Sequence, residues 1–355
     1  MDFSKQLLNW YSAHQRNLPW RQDKDPYRVW LSEVMLQQTR VAQAIDYFEA
    51  FTRAFPQVEA LADASEEEVL KLWQGLGYYS RARNMHATAK QVTHQFNGVF
   101  PQTVGELLQL KGIGPYTARA ISSICFNTPV AVVDGNVYRV LSRYTGGDLP
   151  IDSTSGIKHF AELAQSFLIH TDPGGYNQAI MEFGATMCTP KKPQCAECPV
   201  QSSCVAYATG TVAELPKKSP KKPPQALWIH YLVAVDPVGN TLMLPRKGGG
   251  IWAGLYTFPS LERPSAELAE GSVLLEAQKI WPDQVGQVTL LHEAPVVHRL
   301  THRLIRAFFW RVELHRALAG GYSPSAAQNL PMPVLMAEWF SAQKNPYFWD
   351  SNYTP

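Results

Sequence analysis

The sequence predicts a mainly α N-terminal region followed by a smaller α+β domain. Three observations predict it. Helical periodicity and capping signals run through the first ~210 residues, with almost nothing that alternates like a strand. A proline- and lysine-rich stretch interrupts the chain at 211–225. Apolar, β-branched runs bounded by turn residues follow it. A length of 355 residues suits two domains, and a composition of 45% hydrophobic and 17% charged residues lets each bury a core. The expected division is 1–210, a connector at 211–225, and 226–355.

The helical signals are specific. Asp25-Pro26 is a cap followed by proline at the first helical position. Val41, Ala44, Ile45, Phe48, Phe51 and Phe55 recur at helical spacing. Ser65-Glu66-Glu67-Glu68 and Thr103-Val104-Gly105-Glu106 read as capping boxes. In the connector, Pro216, Pro220, Pro223 and Pro224 alternate with Lys217, Lys218, Lys221 and Lys222, the composition of an extended linker or of an electrostatic arm. Beyond it, Trp228 to Val235 predicts a strand, Asp236 to Asn240 a turn, and Thr241 to Leu244 a returning strand. Leu304, Phe308, Trp310, Val312 and Leu314 have the even spacing of one strand face.

A net charge of +2 does not by itself point to nucleic acid, so a DNA-binding reading must rest on local features. No apolar run of about 18 residues predicts a membrane span, and Met1 to Trp20 lacks an apolar signal core. The expectation is a cytoplasmic monomer.

Four of the five cysteines fall in Cys188-x6-Cys195-x2-Cys198-x5-Cys204. Four thiolates so close can wrap one centre, either an iron–sulfur cube or structural zinc. Zinc ribbons more often pair two C-x2-C knuckles, and this loop has one, which favours iron–sulfur. Cys125, between Ile124 and Phe126, reads as a core thiol. Lys191 and Lys192 in the loop are either phosphate contacts or solvated surface charges.

Leu107 to Ala118 reads as helix, tight turn, helix. Gly112 and Gly114 permit unusual backbone angles, and Pro115 suits the first turn of the second helix. Backbone N–H groups at such a turn form an anion site that holds DNA without reading its sequence.

Two carboxylates stand out. Breaking an N-glycosidic bond resembles glycoside hydrolysis: it calls for an acid and for an anion beside an oxocarbenium-like sugar. Glu33 shares a helical face with Trp30 and Gln37, surroundings that favour its neutral form by desolvation; the plain alternative is a surface glutamate. Asp134 ends the apolar run Val130 to Val133 and precedes a helix, so it is a candidate N-cap. A capping aspartate accepts N–H bonds, stays ionised, and can also stabilise a cation.

Taken together these segments closely resemble the adenine DNA glycosylases of the MutY family. The carriers are Leu18-Pro19-Trp20-Arg21, Ser32 to Thr39, Gly75 to Arg81, the Gly112 hairpin, Val133-Asp134-Gly135-Asn136 and the cysteine loop, with Gly250 to Pro259 similar to that family's Nudix-like domain. The resemblance implies a helix-hairpin-helix catalytic domain with a [4Fe-4S] cluster, a Nudix-like 8-oxoguanine reader, and excision of adenine mispaired with 8-oxoguanine or guanine in duplex DNA. It also implies a bacterial-type, nucleoid-associated enzyme. By this mapping Glu33 protonates the adenine and later helps activate water. Asp134 stabilises the oxocarbenium ion, with Tyr116 and Asn136 in support. Arg21 sits near the flipped adenine, and Gln38 and Tyr78 wedge into the duplex. Cys188, Cys195, Cys198 and Cys204 hold the cluster.

Endonuclease III, a relative, has lysine where this chain has Tyr116. A lysine can form a Schiff base and cleave the strand, whereas tyrosine cannot, so a monofunctional glycosylase is expected. Where family members often show Phe-Ser-His, this chain has Leu300-Thr301-His302; Thr301 keeps the hydroxyl, but the stacking ring is gone. The glutamate-rich Nudix box is missing, which implies a lesion reader and not a pyrophosphatase. Two readings compete: an endonuclease III-like lyase, and a non-catalytic DNA-binding or electron-transfer protein.

Overall fold

The computed structural model describes residues 2–220, 223–248, 250–265, 268–300, 302–342 and 349. The first part of the chain is helical: α1 (Phe3–His14), α2 (Pro26–Leu36), α3 (Val41–Ala54), α4 (Val58–Asp63), α5 (Glu66–Leu72), α6 (Ser80–Phe96), α7 (Val104–Leu107), α8 (Pro115–Phe126), α9 (Gly135–Thr145), α10 (Thr154–Ser166), α11 (Pro173–Thr186) and α12 (Val205–Ala208). The caps act as the sequence predicts. Asp25 accepts from the Tyr27 amide, and Ser65 and Thr103 close reciprocal capping boxes with Glu68 and Glu106.

By their contacts the residues form two compact units. Met1–Ala64 with Asn84–Lys221 makes the first, and Ser65–Arg83 with Lys222–Pro355 the second. The 65–83 segment groups with the second unit because its polar groups find partners there. Lys71 Nζ donates to the Gln328 carbonyl (3.1 Å), Tyr79 Oη to that of Met332 (3.2 Å), and Arg83 to that of Ala253.

In the first unit, α11 is the central helix, packed against α1, α8 and α9. Leu7, Val137, Leu141, Phe160, Tyr176, Ile180 and Phe183 form one buried cluster there; large side chains of this kind contribute about 1.5–3 kcal/mol each on burial. Two glycines of α11 permit the close packing. A Cβ on Gly174 would meet the Ser123 carbonyl at 2.7 Å, and one on Gly184 would meet Asn136 Cβ at 2.7 Å. Cys125 is only half-buried, at the end of α8, where burial pushes its thiol up to about 12.

The connector is more ordered than an extended linker. The Leu215 carbonyl accepts from Arg143 Nε (3.0 Å), that of Lys217 accepts from the Ile151 amide (3.0 Å), and Ser219 donates through its amide and hydroxyl to Asp152.

The second unit adds β1 (Gln225–Val235), β2 (Leu244–Pro245), β3 (Tyr256–Thr257), β4 (Ser260–Arg263), α13 (Glu270–Ile280), β5 (Val285–Leu290), β6 (Val296–Arg299), β7 (Arg303–Leu314), α14 (Pro324–Gln328) and α15 (Val334–Ala342). The main sheet runs β4-β1-β7-β5, with β6 also on β7. The hairpin expected at 228–244 does not form. The turn is there, with Asp236 accepting from the Val238 and Asn240 amides, but β1 pairs in parallel with β7 and Thr241 makes a lone bridge to Tyr322. Nor is β7 apolar on one face alone. Being central, it is covered on both: Trp310 and Val312 pack with Val273 and Ala277 of α13, while Phe309 stacks on Trp339 of α15 (4.5 Å). Among the described residues no helix is long and apolar enough to cross a membrane.

Candidate active site

Glu33 and Asp134, 101 positions apart in the sequence, line one cavity of about 520 Å³ in the first unit. Arg21, Gln37, Gln38, Tyr116, Asn136, Gln178, Met181 and Glu182 share its walls. Glu33 is on α2, between core residues that anchor the helix. Trp30 does not reach the cavity. It is fully buried against Tyr27 and Phe100, and the aromatic neighbour of the carboxyl is Tyr116 instead. Gln37 lies just beyond the last turn of α2, as its C-cap, and its Nε2 reaches Thr117 Oγ1 at 3.4 Å.

The two carboxyls sit in different surroundings. Burial pushes Glu33 up to about 7, and the nearby Asp134 charge adds to this, while a hydrogen bond with Tyr116 and the charge of Arg21 pull the other way. Asp134 is also raised by burial, but three donors oppose the rise: the Asn136 and Val137 amides on Oδ1 (2.9 and 2.8 Å) and Asn136 Nδ2 on Oδ2 (2.8 Å). Hydrogen bonds to a charged form favour it. The two carboxyls thus differ in support: Glu33 is raised to about 7, whereas three donors favour the charged form of Asp134, the asymmetry that acid and electrostatic roles require. Withdrawal from water and the neighbouring carboxylates hold the Tyr116 hydroxyl well above its usual range, so it stays protonated.

Asp134 is the N-cap of α9, as its sequence context predicts. Behind it Asn136 Oδ1 accepts from Arg139 Nη2 (2.8 Å), and Arg139 also donates to the carbonyls of Gly184 (2.6 Å) and Cys188 (2.7 Å). Arg139 thus ties the start of α9 to α11 and to the first cysteine. Because a Cβ at 184 would collide with Asn136, Gly184→Ala is expected to displace the α9 start. Overpacking of this kind costs about 1–3 kcal/mol, to be read by urea unfolding alongside an excision rate that falls further than stability alone explains.

Sequence reasoning missed Glu182, Met181, Gln178 and Arg139. A signal was visible: the polar Gln178 and Glu182 fall at i and i+4 of α11, on one face with Met181 and Ala185. Glu182 is buried, yet bonds from Arg16 Nε (2.6 Å) and Nη2 (2.8 Å) and from Arg21 Nη2 (2.9 Å) outweigh the burial and hold its carboxyl down at about 2. It thereby aims Arg21 along the wall. Glu182→Ala leaves two guanidinium groups without their shared anion, and a loss of about 3 kcal/mol is expected at pH 7. Since the folded value is depressed, that contribution is present above about pH 4.5 and fades as pH falls toward 2; chemical denaturation of both proteins at pH 7 and pH 3 checks it.

Gln38 and Tyr78 are exposed, and both have a left-handed backbone, φ 59° and 48°. That conformation is uncommon for residues with a side chain and tends to gather at functional positions. Tyr78 belongs to the second unit, with the Arg81 guanidinium over its ring at 5.7 Å. In the hairpin, Gly112 has φ 77°, and a Cβ there would fall 2.6 Å from that of Asn84, so glycine is required. Gly114 N-caps α8 without a side-chain cap, which leaves the first amides of α8 to other acceptors. Thr301 lies outside the described residues, and His302 is exposed in the second unit.

The four thiols of Cys188, Cys195, Cys198 and Cys204 line one small cavity beside Arg143. Arg143 Nη1 approaches Cys188 Sγ (3.4 Å) and donates to the Thr189 carbonyl, while Nη2 donates to that of Pro190. Among the described residues no three His, Cys, Asp or Glu side chains converge as tightly as a single ion needs. Four soft donors around one space, next to a buried cation, fit an anionic thiolate cluster. Bound there, a cluster cross-links the loop and holds as thiolates Cys195, Cys198 and Cys204, whose thiols burial pushes up.

Comparisons with known proteins bear on the family. Residues 31–162 match the HhH-GPD superfamily of base excision DNA repair proteins, 188–204 the iron-sulfur binding domain of endonuclease III, and 230–342 the NUDIX domain. The chain is 36% identical to the adenine DNA glycosylase of Mus musculus, over 91% of this chain and 73% of that one. It is 33% identical to the adenine DNA glycosylase of Buchnera aphidicola subsp. Acyrthosiphon pisum, over 94% and 95%. A solved thermostable thymine-DNA glycosylase superposes with a TM-score of 0.54 at 27% identity, covering 58% of this chain and 95% of that one. The four-cysteine loop accordingly carries a [4Fe-4S] cluster. With a helix-hairpin-helix repair fold, that cluster, a Nudix-like α+β domain and two carboxyls facing one cavity, the chain belongs to the adenine DNA glycosylase family, enzymes of base excision repair.

Proposed function

We propose that this enzyme hydrolyses the N-glycosidic bond of adenine mispaired with 8-oxoguanine or guanine in duplex DNA, as a monomeric, monofunctional glycosylase. The observation that carries the reading is the shared cavity of Glu33 and Asp134, with their opposed proton environments. Glu33 gives its proton to a ring nitrogen of the extruded adenine, and the bond from that base to C1′ breaks. Asp134, held by Asn136, supplies the negative charge beside the oxocarbenium sugar. Water then adds at C1′ and returns a proton to Glu33. Tyr116 steadies Glu33, and Arg21, fixed by Glu182, bounds the base pocket.

Extruding a base leaves a gap in the stack; Gln38 of the first unit and Tyr78 of the second, each exposed and left-handed, each suit a wedge into the duplex. Gly112 and Gly114 bring backbone amides to phosphate. Cys188, Cys195, Cys198 and Cys204 ligate the cluster, and Thr301 and His302 contact the lesion. No lysine lines the cavity among the described residues, which supports base removal without strand cleavage.

The test uses duplexes carrying A opposite 8-oxoguanine, A opposite G, and thymine glycol. Nicking at adenine alone, only after alkali, is expected. Release of thymine glycol, or cleavage without alkali, would replace this reading with a lyase.

A further inference from the structure

The Tyr116 hydroxyl has one hydrogen and two acceptors in reach. It donates to Met181 Sδ at 3.3 Å, and the Glu33 carboxyl, whose charged form it favours, is a second acceptor facing the same cavity. Both partners line the same cavity, Met181 from α11 and Glu33 from α2. A single O–H cannot serve both fully, so which acceptor holds it depends on the charge of Glu33. An ionised carboxylate is a far stronger acceptor than a thioether and draws the hydrogen to itself. A protonated carboxyl has lost that charge, and its own O–H can donate to the Tyr116 oxygen, which leaves the hydroxyl hydrogen to the sulfur.

We infer that Met181 is a positioning residue that parks the Tyr116 hydrogen away from Glu33 while Glu33 carries the proton for the departing base. The inference rests on Glu33 acting as the acid. With the sulfur removed, Glu33 is the acceptor left to the hydroxyl among the described side chains, and donation stabilises the carboxylate at the expense of the acid. The other charged or titratable groups around Glu33 are Asp134 ahead of α9, Arg21, the Arg16–Glu182 pair on the cavity wall, and the Cys125 thiol of α8. None of them is altered by a change at 181.

Met181→Leu keeps the bulk and deletes the acceptor. In single-turnover excision across pH 5.5 to 9, its alkaline limb is expected about half a pH unit lower than that of the parent, the shift one modest hydrogen bond supports. Met181→Gln returns an acceptor and should keep the limb where it is or raise it. In the Tyr116→Phe background, Met181→Leu should shift nothing, whereas a mere packing role would persist there. An unmoved limb, or the same shift without the Tyr116 hydroxyl, overturns the inference.

A second readout needs no activity. The fall in urea stability with rising pH, which tracks Glu33 ionisation, should shift by the same amount in Met181→Leu and be absent in Glu33→Gln. A stability shift in a protein that excises nothing would sink the glycosylase reading and leave the Tyr116–Met181 pairing standing.

Discussion

Glu33→Gln is expected to bind duplex DNA carrying an adenine mispair nearly as the parent does and to release adenine about 10³-fold more slowly, the loss expected of a missing general acid. The substituted amide has nearly the shape of the carboxyl but no acidic proton to give. The same variant should be more stable at alkaline pH. Glu33 is raised from about 4.5 to about 7 on folding, so the native state holds a proton that the unfolded chain releases. Stability is therefore greatest below about pH 4.5 and declines as pH climbs through 7, by a total of about 3 kcal/mol. Glu33→Gln escapes that decline. Urea unfolding at pH 8 should favour the variant by about 2–3 kcal/mol, with the gap closing near pH 4.5. In the parent, excision should hold level below pH 7 and drop about tenfold per pH unit well above it, and acid should silence it as Asp134 takes a proton. Undiminished excision by Glu33→Gln removes this carboxyl from the chemistry.

Removing one cluster ligand has the second large effect. Cys198→Ala is expected to purify without the visible absorbance of an iron–sulfur centre and to become sensitive to trypsin after Lys191. Residues 188–204 contain only two short 3-10 turns and little buried apolar surface, so on their own they cannot hold one conformation. The damage should reach the cavity. The Cys188 carbonyl accepts from Arg139, Arg139 donates to Asn136, and Asn136 Nδ2 donates to Asp134. Once Cys188 moves, the outer support of the anion is lost, and such support is worth about 10–100-fold at a functional site. Excision should fall by that order even in the fraction that still binds DNA. Preserved absorbance with full activity in Cys198→Ala would take Cys198 out of the ligand set.

Much of this was legible because it depends on neighbours in sequence. The cap Asp25-Pro26, the capping boxes at Ser65 and Thr103, the hairpin glycine Gly112 with its positive φ, and Asp134 as the cap of α9 are local devices. Their geometry is closed within a few residues, so spacing alone announces them. The cysteine loop is local in the same sense. Strand pairing was not legible. Trp228 to Val235 has the composition of a strand, but its partner is β7, far along the chain, and not the run that follows the turn.

By itself, then, the sequence determined where helices start, which four thiols are clustered, and which two carboxyls stand in glycosylase-like strings. Only the tertiary structure decided that Glu33 and Asp134 face one space, that burial raises the first to about 7 while three N–H donors favour charge on the second, and that Arg16 and Arg21 converge on Glu182. It also decided that 65–83 belongs with the C-terminal unit. The physical reason is common to all of these: burial and charge pairing depend on which distant segments pack together, and no spacing along the chain encodes that.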